Sequence, residues 1–144
     1  MIYVALYHYR EPLSRAAFLR RAIHEITCFL TRSRYSHAEL AIRDGAEFIC
    51  YSASGRDGGV RRKRMPLPPE RWYLVRVNAD VAQIRRFYDM HRGAKYDWLG
   101  SLRAVVPWMR QSHDRWYCSE YVAVALGLSD DVGRSPQSLY EWLE

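Results

Sequence analysis

The sequence predicts an α+β domain, an antiparallel sheet with helices packed on it. Runs rich in Tyr, Val and Ile, of strand length, fill most of the first half of the chain. Two of them flank Asp44-Gly45, the strongest short-range hairpin signal. Beyond residue 80 the pattern turns helical, punctuated by Gly and Pro. Strand, helix, several strands, then helices is the order of an α+β fold. With 144 residues, positions 1–144 suffice for one cored domain and are few for two.

The elements follow in order. MIYVALYHY reads as a strand. Residues 14–32 read as a helix capped by Ser14, with Leu19, Ala22, Ile23, Ile26 and Leu30 on one apolar stripe. SHAELAIRDGAEFICYSAS forms the hairpin, with Asp44-Gly45 as its two-residue turn. That register sets His37 opposite Ser52 and puts His37, Glu39, Cys50 and Ser52 on one face. Gly58-Gly59 turns the chain into VRRKRM, a basic strand, and RWYLVRV adds another. Asn78 or Asp80 caps a helix over 81–92 that stops at Gly93. GAKYDWLGSLRAVVPWM supplies a loop and a short apolar helix interrupted by Pro107. A helix runs from Cys118 to Gly127, and Ser135-Pro136 opens the last one.

Net charge is +6, from 22 basic and 16 acidic residues, and nearly every basic residue is arginine. Such a surface attracts anions. Arg61, Arg62, Lys63 and Arg64 lie in a strand and alternate faces, and no groove-reading motif accompanies them. A solvated basic edge strand is the better reading, and no specific nucleic-acid partner is expected. Cys28, Cys50 and Cys118 are odd in number and form no CxxC pair, which argues against a disulfide framework and for a reducing, cytoplasmic setting. No apolar run reaches the roughly 18 residues of a membrane span. No ligand pattern calls for a metal, and no cofactor is expected.

Chemistry concentrates at RWYCSEYVAVALG. A cysteine at a helix N-terminus faces unpaired N–H groups and the positive end of the helix dipole, which favour a thiolate and can hold an oxyanion. Its general base would be a histidine. His24 shares a helix flank with Cys28, His91 ends a helix and His8 has no distinguishing context. His113, five residues before Cys118, is a local rival. His37 starts a rigid hairpin strand amid polar neighbours, the setting that orients a base.

YSHAEL, ICYSASGRDGGV, GAKYDWLG and WYCSEYVAVALG, in that order, resemble the circularly permuted branch of the NlpC-type, papain-like cysteine hydrolases of bacteria and bacteriophages. The resemblance spans about His37 to Gly127. It implies a permuted papain-like fold, with Cys118 as nucleophile and His37 as base. The family usually carries a polar orienting residue on the strand after the histidine strand. Here that strand offers Ser52, with Glu39 on the same face and Cys50 as a weaker candidate. Tyr96 resembles a site-lining tyrosine of the family, and Ser119 and Tyr51 are further candidate substrate contacts. The implied activity is cleavage of an amide or ester through a thioester, with a peptidoglycan peptide as the leading substrate. Lipid or acyl-chain chemistry is the alternative, as is a non-catalytic phage or bacterial binding module of the same fold.

Overall fold

The computed structural model describes residues 1–9, 18–30, 33–99, 114–129 and 131–144. Among these, seven strands form one curled sheet: β1 (Ile2–Tyr7), β2 (His37–Asp44), β3 (Glu47–Ser54), β4 (Gly59–Met65), β5 (Trp72–Val77), β6 (Lys95–Tyr96) and β7 (Arg115–Trp116). Their order is β5-β1-β2-β3-β4-β6-β7. All neighbours are antiparallel except β6 and β7. The helices are α1 (Phe18–Leu30), α2 (Val81–His91), α3 (Cys118–Ala125) and α4 (Pro136–Leu143). The chain is therefore an α+β protein.

Strand alternation gives the sheet two apolar faces. Val4, Leu6, Leu40, Ile42 and Tyr51 point to one, where Ile84 of α2, Tyr121 and Val122 of α3 and Leu139 of α4 cover them. Ala5, Ala41, Phe48 and Cys50 point to the other, closed by Leu67 and by the partly buried Tyr3, Met65, Trp72 and Leu74. Glu39, adjacent in sequence to both Ala38 and Leu40, is thus held on the second face, against the curl of the sheet.

The expected caps are in place. Asp80 accepts from the Ala82 N–H at 2.9 Å, and Gly93 leaves α2 at φ 83°. Ser135 accepts from the Ser138 N–H at 3.0 Å, with Pro136 at the first helical position. Ser14, residues 14–17 and the Pro107 segment lie outside the described residues. Of the apolar stripe expected on α1, Leu19 and Ile26 are exposed and Ala22 is partly buried; Phe18 and Phe29 are exposed as well. Among the described residues, the helix-bearing face of the sheet is already covered by α2, α3 and α4.

The hairpin differs in one respect. Asp44 pairs with Glu47, so the two-residue loop is Gly45-Ala46 rather than Asp44-Gly45. Gly45, at φ 66°, takes the first loop position, the place glycine holds in a Gly-X hairpin loop. The register moves by two residues. Leu40 faces Tyr51, and one step further Ser52 stands beside Glu39, not His37. An even shift leaves the faces unchanged, so the polar cluster survives while its pairing is rearranged.

β6 was not foreseen from the sequence, and it carries Tyr96 to the sheet. Gly59 makes this possible: at φ 152° it pairs with Lys95, and a Cβ there would meet the Ala94 carbonyl oxygen at 2.0 Å. Gly59→Ala is expected to cost about 1–3 kcal/mol, by forced displacement of this backbone contact, measured by denaturant unfolding.

Candidate active site

Cys118 is the first residue of α3, and its side chain is fully buried. Glu120 caps the helix backward, its Oε2 accepting the Tyr117 N–H at 3.3 Å. The N–H groups of Cys118 and Ser119, in the first turn, have no carbonyl four residues back inside the helix to bond. Van der Waals packing of Tyr121, Val122 and Ala125 on the sheet fixes the helix, and thereby the sulfur.

His37 opens β2, paired to Tyr7 of β1. The Cys118 side chain lies close enough to the ring to act on its charge. Its Nε2 lies 2.8 Å from Glu39 Oε1. Trp72 stands edge-on to the ring at 6.4 Å. Burial disfavours the imidazolium, but the Cys118 sulfur and the Glu39 carboxylate together overcome it and carry the His37 pKa up to about 9.

Glu39 has no exposed side-chain surface, and burial alone would favour its neutral acid. His37 and Arg61 outweigh that and hold it below the usual carboxylate range. Arg61, from β4, bonds both carboxylate oxygens: its Nη1 donates to Oε2 at 2.7 Å and its Nη2 to Oε1. Its Nε donates to Asp57 Oδ2 at 2.8 Å. The polar chain thus runs Cys118, His37, Glu39, Arg61, Asp57.

The sequence-derived candidates separate on these contacts. Glu39 touches His37. Ser52 does not: its hydroxyl donates to the Ala38 carbonyl at 2.6 Å, because the shifted register puts it beside Glu39. Cys50 donates weakly to the Phe48 carbonyl at 3.9 Å, and burial, reinforced by the Glu39 charge, keeps it a neutral thiol. Tyr96 lies within electrostatic reach of Cys118, edge-on to Trp98 at 5.0 Å and tilted against Tyr117 at 6.0 Å. Ser119 turns its hydroxyl away to the Gly133 carbonyl, at 2.7 Å. Tyr51 is buried under α2, edge-on to Tyr88 at 5.3 Å, on the face opposite Cys50 and Ser52. The side chains of Ser119 and Tyr51 are therefore packing elements, and the N–H of Ser119 is its group nearest the chemistry. His91 bonds the Phe87 carbonyl at the end of α2, and His113 lies outside the described residues.

Two residues were missed. Arg61 sits in a basic run that reads as solvent-facing, a reading that Arg62, Lys63 and Arg64 do satisfy by being exposed. Tyr117 directly precedes Cys118. Its hydroxyl is buried, finds no hydrogen-bond partner among the described residues, and lies within electrostatic reach of Cys118. Burial, then the charges of Cys118 and Tyr96, push its pKa well above that of a free phenol, so it stays a neutral donor. Adjacency to Cys118 at the helix cap was the signal that could have flagged it.

Among the described residues no cluster of His, Cys, Asp or Glu could hold a metal ion, and no helix is long and apolar enough to cross a membrane. The sequence matches no known protein-family model, and no curated protein is significantly similar to it.

Proposed function

We propose that the protein is a cysteine hydrolase of permuted papain-like architecture, cleaving an amide or ester through a thioester on Cys118. The observation that carries this reading is the imidazole of His37 bonded to the buried Glu39 carboxylate and within electrostatic reach of Cys118, the first residue of a helix.

The Cys118 proton rests on His37, whose ring is held in the charged form, and the sulfur attacks the carbonyl carbon. The C–S bond forms and the carbonyl electrons move to oxygen. The N–H groups of Cys118 and Ser119 and the Tyr117 hydroxyl are the donors available to that oxyanion. As the tetrahedral intermediate collapses, His37 delivers its proton to the departing nitrogen or oxygen and the scissile bond breaks. Water then attacks the thioester with His37 as base, releasing a carboxylic acid and returning the sulfur to its starting state. Glu39 keeps the ring oriented and stabilises its charged form.

The motif resemblance favours a peptide of the bacterial cell wall as substrate. Exposed Trp98 and Leu99, next to Tyr96, favour an apolar acyl group as the second reading.

The deciding experiment is acylation of Cys118 by p-nitrophenyl esters, followed by mass spectrometry. His37→Ala is expected to slow it by about 100-fold or more, the lower range for a lost general base. Equal acylation of both proteins, nil included, overturns the proposal.

A further inference from the structure

Resting on the hydrolase reading, we propose that Arg61, anchored by Asp57, is a positioning residue for the Cys118–His37 pair and acts through Glu39. Sheet register brings these residues into one row. Ala5 of β1 pairs with Glu39 of β2, Ser52 of β3 stands next, and Arg61 of β4 pairs with Ser52. Glu39 and Arg61 are two strands apart, on the order of 10 Å between backbones, a span a guanidinium can bridge only over a small intervening side chain. Ser52 is that side chain. It folds its hydroxyl onto the Ala38 carbonyl and leaves the path over β3 open. A longer side chain at 52 would stand where the guanidinium now passes. The carboxylate beside the imidazole sits on the histidine strand itself, and an arginine from two strands away secures it.

The clamp has a chemical purpose. A carboxylate held only by one imidazole nitrogen can swing about its side-chain torsions. A planar fork on both oxygens removes that freedom. Burial by itself favours the neutral acid of Glu39, and a protonated Glu39 would support the imidazolium poorly. The groups facing it are His37 on its own strand, Cys50 on β3, Arg61 on β4 and Tyr121 on α3. Of these Arg61 alone is a permanent cation. Asp57 takes its remaining Nε–H, so the guanidinium is fixed at both ends, with only 16% of its side-chain surface exposed.

The test is the pH profile of Cys118 acylation by a p-nitrophenyl ester in the wild type, Arg61→Met, Arg61→Lys, Asp57→Asn and Ser52→Leu. Arg61→Met is expected to slow acylation by about 10- to 100-fold, the range for lost outer partners of a site, and to move the acid limb up by about one pH unit. Arg61→Lys restores part of both, having the charge without the fork. Asp57→Asn gives a smaller shift in the same direction, and Ser52→Leu reproduces Arg61→Met by blocking the path. If Arg61→Met does not fold, the remaining three variants decide. Folded variants that all keep the wild-type acid limb overturn the clamp, whatever their absolute rates. Loss of the His37 dependence in the wild type would sink the hydrolase reading instead.

Discussion

Cys118→Ala is expected to abolish acylation and, in the same protein, to lower the pH at which His37 titrates. The second effect is the more informative. In the wild type His37 is driven by three influences: burial, which favours the neutral ring, and the Cys118 sulfur and Glu39, which favour the charged one. Their balance leaves the ring protonated up to about pH 9. Alanine removes one support and leaves the burial, so the ring must lose its proton at lower pH, by about one unit or more, a change of roughly 1.4 kcal/mol per unit. The sign also fixes the alkaline limb of activity. In the proposed mechanism protonated His37 is the acid for the leaving group, so that step is expected below about pH 9 and lost as pH rises through it. Ring-proton chemical shifts of His37, followed against pH in both proteins, read the difference directly. An unchanged His37 titration in Cys118→Ala would show that the sulfur does not bear on the imidazole, and the dyad would fall with it.

The parts of this site that the sequence revealed share a property: each is defined by local pattern. Cys118 at the start of an apolar helix, the Asp80 and Ser135 caps and the alternation along β2 and β3 all depend on residues within a few positions of one another. Alternation was robust enough that a one-residue misplacement of the hairpin loop, which shifts the register by two, left His37, Glu39, Cys50 and Ser52 on one face. Pairing was not robust, since the choice between Ser52 and Glu39 depends on register, which the loop sets. Arg61 was hidden for a stronger reason. Its contact with Glu39 crosses an intervening strand, 22 residues away in sequence, and nothing local separates it from the exposed Arg62 and Lys63. β6 and β7 are two residues each, too short to carry a period, and they form because Gly59 lets the backbone at Ala94 approach.

Glu39→Leu is expected to destabilise the fold by about 3–5 kcal/mol, the usual cost of breaking a buried ion pair by removing one partner. The lower end applies if Asp57 continues to hold the stranded Arg61. Adding Arg61→Met should then return most of the lost stability, because two apolar side chains of similar volume replace both charges and their desolvation. Acylation of Cys118 should not return with it, since neither residue of the double variant can orient His37. Denaturant unfolding and the acylation assay, run on the same three proteins, therefore separate what the Glu39–Arg61 pair does for folding from what it does for chemistry. The pH dependence supplies an independent sign. Glu39 titrates below its ordinary range in the folded protein, so its stabilising contribution is complete above that range and is lost as pH falls through its folded value. The wild type should lose stability on acidification more steeply than the double variant. Recovery of both stability and acylation in the double variant would show that Glu39 and Arg61 only pack the sheet. Recovery of stability alone would mean that a costly buried ion pair is kept for its action on His37.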